Sequence, residues 1–270
     1  MMQRSLADLL DLDPLAPLAW RAATCAGRFL RDERPAMLTI DTKTTPTDVV
    51  SDMDRSAEAL IVEHILTARP HDGLLGEEGA ERPGSSGIRW IIDPLDGTVN
   101  YLLGLPEWAV SVGVEEDGNA RLGVIDIPMH DETFIAIAGH GAWRVHRGVA
   151  DRVAIRHVSD LSQALISTGF GYDAAIRRQQ TAVLESLIGE VRDIRCSGAA
   201  TLDFCSLARG WTDGYFLRDL KPWDLSAGAL IAEEAGALVT GIGGEPWTSM
   251  VVAGSPPIVE SLLRLLPRTT

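Results

Sequence analysis

The stretch Trp90-Ile91-Ile92-Asp93-Pro94-Leu95-Asp96-Gly97-Thr98 ends an apolar run in two aspartates three residues apart. Pro94 between them predicts a turn, which lets both carboxylates converge on one point and turns the Leu95 carbonyl outward as a further oxygen ligand. Oxygen donors without sulfur or imidazole suit a hard divalent cation. Gly97-Thr98 then opens a segment toward Asn100 and Tyr101. As a helix start, its unpaired N–H groups suit an anion. Cation ligands and a phosphate cradle would lie side by side.

Three more stretches hold carboxylates that a fold would not need. They are Gly76-Glu77-Glu78-Gly79, Trp223-Asp224-Leu225-Ser226, and the region from Lys43 past Asp48 to Asp54. Each has an ordinary reading alone: a solvated turn for Glu77, a helix N-cap for Asp224, a surface turn for a lone Asp-x-x-Asp. Taken together, Asp54, Glu77, Asp93, Asp96 and Asp224 would be five anions near one cleft. Two unit charges 4 Å apart repel by about 4 kcal/mol at an effective dielectric of 20. Several such pairs rival the roughly 5–15 kcal/mol that holds a domain folded. Convergence therefore calls for cations, Mg²⁺ first, with Mn²⁺ or Ca²⁺ as rivals.

The charge balance points the same way. The 270 residues carry 24 Lys plus Arg against 38 Asp plus Glu, a formal net charge of −14. Such a chain repels a polyphosphate backbone, which argues against direct nucleic-acid binding. It also repels small anionic substrates unless metals recruit them. Cys25, Cys196 and Cys205 form no Cys-x-x-Cys pair and read as reduced, mostly buried thiols of a cytoplasmic protein. The acidic N-terminal stretch has no signal-peptide apolar region, and no apolar run reaches the roughly 18 residues of a membrane span. The six histidines, at 64, 71, 130, 140, 146 and 157, make no ligand spacing with the acidic stretches.

The elements that must position these groups are legible from periodicity. Leu18, Ala22, Cys25, Ala26, Phe29 and Leu30 form one helical stripe. Ser51 to Asp54 has the spacing of a capping box, which predicts a helix with Asp54 in its first turn, ended at Pro70. Residues 89–92 read as a buried strand and 109–155 as a β-meander. Beyond 165, strands at 191–195, 214–217, 238–240 and 251–253 alternate with helices at 174–188, 199–209, 225–235 and 258–266. A 46% apolar composition supports a sizeable core. The expected organisation is an α+β region over 1–155 with most ligands, stacked on an α/β region over 156–270 that carries Asp224 and the substrate-side loops.

At these residues the chain resembles the inositol monophosphatase family, within the magnesium-dependent phosphatases that include fructose bisphosphatases. The matching stretches are 43–54, 76–78, 90–101, 195–210 and 223–236. The resemblance implies an α-β-α-β-α sandwich of the sugar-phosphatase type, usually a homodimer, that hydrolyses a small phosphorylated alcohol like inositol 1-phosphate. It implies a first metal on Glu77, Asp93 and the Leu95 carbonyl, and a second on Asp93, Asp96 and Asp224. A third, weaker ion would sit near Glu77 through waters. Thr98 and Asp54 would orient and deprotonate the attacking water, and the Gly97 and Thr98 N–H groups would hold phosphate oxygens.

Two positions depart from the family pattern. Members acting on inositol phosphates carry Glu seven residues before the Asp of the Trp-Asp motif, where this chain has Leu217. Ser or Thr is common where Ala199 stands. Both lie on the alcohol side, so the expected substrate extends to histidinol phosphate, fructose 1,6-bisphosphate or adenosine 3′,5′-bisphosphate, with Asp219 or Arg218 as replacement contacts. A competing reading is a non-catalytic partner in a transcription complex, a role some bacterial members of the family have. A third is a Ca²⁺-stabilised structural domain.

Overall fold

Nine strands form the larger sheet of the computed structural model, which describes residues 3–43, 45, 49–242 and 250–266. Asp48 lies outside those described residues. From one edge the order is Gln3–Ser5, Val149–Arg152, Gly141–His146, Glu132–Ile137, Asn119–Ile127, Ala109–Glu116, Ile88–Asp96, Gly73–Gly76 and Glu81–Arg82. The meander expected over 109–155 is its antiparallel body. The Gly73–Gly76 strand joins Ile88–Asp96 in parallel, with Gly76 opposite Ile92. The smaller sheet runs Asp193–Arg195, Leu165–Thr168, Gly214–Arg218, Met250–Gly254 and Leu238–Gly241, parallel over its first three strands and antiparallel over the rest.

Helices fill the remaining layers. Ala16–Asp32 and Asp52–Ala68 cover the outer face of the large sheet, where Ala19, Ala22, Ala26 and Ile61 join Trp90, Val112 and Val124 in one apolar cluster. Ala200–Ala208 and Pro222–Glu234 lie between the two sheets, their Phe204, Leu225, Ile231 and Ala232 packed with Ile125, Phe134 and Tyr215. Ala174–Leu187 and Pro256–Leu265 cover the outer face of the small sheet through Val183, Leu187, Ile258 and Leu262. The result is the expected α-β-α-β-α stack. A helix sandwiched between sheets has no solvent face, which is why Leu225 to Ala232 is apolar all round.

Gly123 fixes how closely the middle layer approaches. A Cβ there would stand 2.8 Å from the Ala227 Cα and carbonyl oxygen, inside van der Waals contact. Backbone meets backbone at this point, and the Pro222–Glu234 helix is thereby held at one height over the sheet, with Asp224 in its first turn.

Two expectations need correction. Pro94 does not make a turn: the strand runs on to Asp96, and the pairing with Ala109–Glu116 shifts register between Asp93 and Asp96. A bulge absorbs a residue that cannot donate to the ladder, and it re-aims the flanking side chains as the turn was expected to do. The cysteines are all free, but only Cys205 is buried, with Cys25 partly and Cys196 openly exposed. The edge strand Gln3–Ser5, paired with Val149–Arg152, is three residues long and gives no alternation to read.

Gly123→Val should destabilise the protein by about 1–3 kcal/mol through overpacking. Gly189→Ala, whose added Cβ meets nothing within 4 Å, should stay within about 0.5 kcal/mol. Urea unfolding of the two variants checks the contrast.

Candidate active site

The parallel register of Gly76 with Ile92 carries the chain directly from Gly76 to Glu77 beside Asp93, and the Glu77 N–H donates to the Ile92 carbonyl at 3.1 Å. The turn that follows is clamped by Glu58, one helical turn beyond Asp54. Its two carboxylate oxygens each accept at 2.9 Å, from the N–H groups of Glu78 and Ala80. The Glu77 and Asp93 carboxyls stand close enough that each shifts the titration of the other.

Of the two, Asp93 is the carboxyl held further above its ordinary range. Burial raises its pKa well above the usual carboxylate range, and the charges of Glu77, Asp96 and Asp224 raise it further. Glu77 is raised by burial but opposed by Lys43, whose Nζ lies 2.8 Å from Glu77 Oε1 and also pairs with Glu78. Burial works against the Lys43 charge, and the two glutamates outweigh it, holding the ammonium above its ordinary range. Asp224 is pushed up to about 8, by burial first and Asp96 next. The Lys221 N–H opposes this by donating to Asp224 Oδ2 at 2.7 Å.

Asp96 is supported from the middle layer. Thr201 donates to Asp96 Oδ2 from its N–H at 2.7 Å and from its hydroxyl at 2.5 Å, against a burial that raises the Asp96 pKa. On the other side, Asp54 is locked in the capping geometry its spacing predicts: Oδ2 accepts the Ser51 N–H at 2.9 Å and the Ser51 hydroxyl. Its free oxygen, Oδ1, lies 3.0 Å from Thr98 Oγ1, which is also 3.1 Å from the Leu95 carbonyl. Burial raises the Asp54 pKa while Ser51 and Thr98 oppose. Asp54 thus reaches the cluster through Thr98.

Gly97, at φ 91°, is the left-handed residue before the Thr98–Leu103 helix. A side chain there would be strained and would meet the Glu107 carbonyl at 2.8 Å. Asn100 ties this helix to the opposite loop, donating to the Glu107 and Ser197 carbonyls at 2.7 and 2.9 Å. Ala199 is buried against Gly97, 3.2 Å from where a Cβ would stand. Leu217 is partly buried against the middle-layer cluster that includes Ala199 and Leu225. Asp219 occupies a left-handed position, φ 62°, between strand and helix.

The structure thus brings Glu77, Asp93, Asp96 and Asp224 within electrostatic reach of one another. Among the described residues, no three His, Cys, Asp or Glu side chains close around a point as a metal cage. The reason is visible in the bonds: Glu77 is turned to Lys43, Asp96 to Thr201 and Asp224 to the Lys221 N–H. The donor set nevertheless fits a hard divalent cation. Four carboxyls and one carbonyl supply only oxygen, and the pKa of every one of the four carboxyls is raised, as crowded like charges require. Thr201, Glu58 and the Lys43 contact were not singled out by sequence spacing. Asp96 and Thr201 are 105 residues apart, and only the i, i+4 relation of Asp54 to Glu58 gave a local signal.

A sequence profile described as the inositol monophosphatase family matches residues 11–264. An inositol-1-monophosphatase of Mycobacterium leprae is 36% identical, over 96% of this chain and 95% of its own. A putative Nus factor SuhB of Neisseria meningitidis serogroup B is 34% identical, over 94% of this chain and 98% of its own. Among solved structures, the extragenic suppressor protein suhB of Bartonella henselae superposes with a TM-score of 0.88 at 36% identity, covering 96% of this chain and all of that one.

Mg²⁺ at a hundred times its dissociation constant should stabilise the protein by about 2.7 kcal/mol. Asp93→Asn should lose most of that gain, yet be at least as stable as the parent in EDTA, because it replaces a carboxyl whose ionised form is penalised by burial and by the charges of Glu77, Asp96 and Asp224. Thermal unfolding with and without Mg²⁺ reads both effects.

Proposed function

The chain belongs to the inositol monophosphatase family, and from that premise we propose that it is a Mg²⁺-dependent phosphomonoesterase of the cytoplasm. In this reading it acts, as a homodimer, on a small phosphorylated alcohol, which it hydrolyses to the free alcohol and inorganic phosphate. The observation that carries the reading is the buried Glu77–Asp93 carboxyl pair with Asp96 and Asp224 around it. Glu77, Asp93, the Leu95 carbonyl, Asp96 and Asp224 would hold two Mg²⁺, with a third near Glu77; Mn²⁺ could substitute. When bound, the ions neutralise phosphoryl charge and make water a better nucleophile at neutral pH.

The chain's own residues do the rest. Thr98 Oγ1 has one hydrogen to give to Asp54 Oδ1 and lone pairs left to accept from water. A water hydrogen-bonded to Thr98 can pass its proton to Oγ1 as the Thr98 hydrogen moves to Asp54 Oδ1. Burial, which raises the Asp54 pKa, suits it to general-base work nearer neutrality. The Gly97 and Thr98 N–H groups would hold phosphoryl oxygens, and the left-handed Gly97 leaves the backbone open for their approach. Free thiols at Cys25, Cys196 and Cys205 accord with a reducing compartment, and no described helix is long and apolar enough to cross a membrane.

At the two positions that the family resemblance puts on the alcohol side, this chain has Leu217 and Ala199, which carry no group to hydrogen-bond a polyol. A site without those polar groups has no strong preference for a hydroxyl-rich alcohol. The substrate in this reading is therefore a phosphomonoester of an alcohol other than inositol, or one of several accepted with looser selection. The SuhB relative named as a putative Nus factor supports a second role as a protein partner in transcription. That role would survive Asp93→Asn, which abolishes hydrolysis.

Phosphate release across inositol 1-phosphate, histidinol phosphate, fructose 1,6-bisphosphate, adenosine 3′,5′-bisphosphate and glycerol 2-phosphate, with and without Mg²⁺, tests the reading. No release from any ester overturns it. Asp54→Asn should lower kcat by about 10²–10⁴-fold, the usual weight of a general base, with KM little changed. Leu217→Glu should raise kcat/KM for inositol 1-phosphate about tenfold or more relative to the other esters. A parent enzyme already selective for inositol 1-phosphate would contradict the substrate assignment.

A further inference from the structure

A second cavity, of about 350 Å³, opens between the Ala16–Asp32 helix, the 128–133 loop and the hairpin turn at Arg147-Gly148. Its helical wall is one stripe: Trp20, Thr24, Arg28 and Arg31 follow at intervals of four, four and three. Arg147, at φ 50° in the turn, closes it from the other side. Three guanidinium groups on one cavity are conspicuous in a chain with 24 basic against 38 acidic residues.

The pairing of these arginines matters more than their number. Arg31 is bound to Asp32. Arg28 donates only to the Thr24 carbonyl and the Cys25 sulfur, both at 3.3 Å, and among the described residues neither Arg28 nor Arg147 has a carboxylate in hydrogen-bond or ion-pair reach. Two acids share the cavity, Asp126 and Asp131. Asp131 stands exposed at the rim. Asp126 accepts the Thr133 hydroxyl at 2.7 Å, and burial pushes its pKa up to about 7 against the opposing charges of Arg31 and Arg28. Planar guanidinium forks left without carboxylates are suited to phosphate oxygens. A cavity of this size falls in the range of small-ligand sites.

The cavity is separate from the carboxylate cluster. Asp93 pairs with Ser111, and Ser111 with Ile125, the residue before Asp126. Two strand spacings, roughly 10 Å, therefore lie between the two places.

We propose that the Arg28–Arg31–Arg147 cavity binds a phosphate group, free or carried on a small alcohol, at a site distinct from the carboxylate centre. The electrostatics of the protein isolate it experimentally. Without divalent cations the carboxylate cluster repels phosphate, so saturable binding in EDTA reports the arginine cavity. Calorimetric titration in EDTA with inorganic phosphate, and in parallel with glycerol 2-phosphate, is the test. One saturable site is expected, weakened at least tenfold by Arg28→Ala and by Arg147→Ala. Both side chains are exposed, so folding is not at stake. Arg89→Ala, an exposed arginine away from the cavity, removes the same charge and should leave binding within twofold. Tighter binding of glycerol 2-phosphate assigns an ester as occupant, and equal binding assigns free phosphate; both support the site. Absence of saturable binding overturns the proposal, as does equal weakening by all three variants, which would mean only diffuse attraction.

Discussion

Four carboxyls, Asp93 buried and Glu77, Asp96 and Asp224 half-buried, within electrostatic reach of one another are the constraint around which this protein is built. At an effective dielectric of 20, each close pair of like charges costs about 4 kcal/mol, and burial adds to the cost by penalising every ionised form. Each carboxyl is therefore met by at least one hydrogen-bond donor. Lys43 faces Glu77, the Thr201 N–H and hydroxyl face Asp96, and the Lys221 N–H faces Asp224. Asp93, at the centre, accepts only the Leu95 N–H, and burial and its carboxylate neighbours raise its pKa well above the ordinary range. A binding site for positive charge follows from this arrangement without reference to any particular substrate.

Holding such a cluster together needs a framework stronger than the cluster itself. The apolar layers on both faces of the large sheet provide it, and the contact of Gly123 with Ala227 sets the height of the helix that brings in Asp224. The parallel pairing of Gly76 with Ile92 does the same for Glu77 and Asp93. In both cases a backbone-level constraint, which side-chain motion cannot relax, fixes a carboxylate. The capping bonds of Asp54 serve twice. They satisfy the start of the Asp52–Ala68 helix and leave Oδ1 directed at Thr98.

The local parts of this site were legible in the sequence because local spacing determines them. Ser51 to Asp54 is a capping box by pattern and in space. The 90–98 stretch places Asp93, Leu95, Asp96 and Thr98 together because a few bonds separate them. The apolar run from Leu225 predicted a helix, and that helix lies in the middle layer. What could not be read joins residues far apart in the chain, such as Asp96 with Thr201 or Glu58 with the 78–80 turn. Pro94 misled because proline signals a break in local structure, whereas a bulge let the strand pass through it. The thiols of Cys25 and Cys196 misled because cysteine burial is a tendency of the residue type, and neighbours decide each case.

The negative charge of the whole chain and the arginines beside the Ala16–Asp32 helix then belong to one electrostatic scheme. In the proposed readings, the negative surface would repel anions, which would be admitted where positive charge is supplied, either by bound ions or by the Arg28 and Arg147 guanidinium groups. The first of these rests on ions entering the carboxylate cluster. Anomalous diffraction from a crystal soaked in Mn²⁺ tests it most directly. The account predicts peaks bracketed by Glu77, Asp93 and the Leu95 carbonyl, and by Asp93, Asp96 and Asp224, with Lys43 displaced from Glu77. A map without a peak there, with the carboxyls still turned to Lys43 and Thr201, would contradict it.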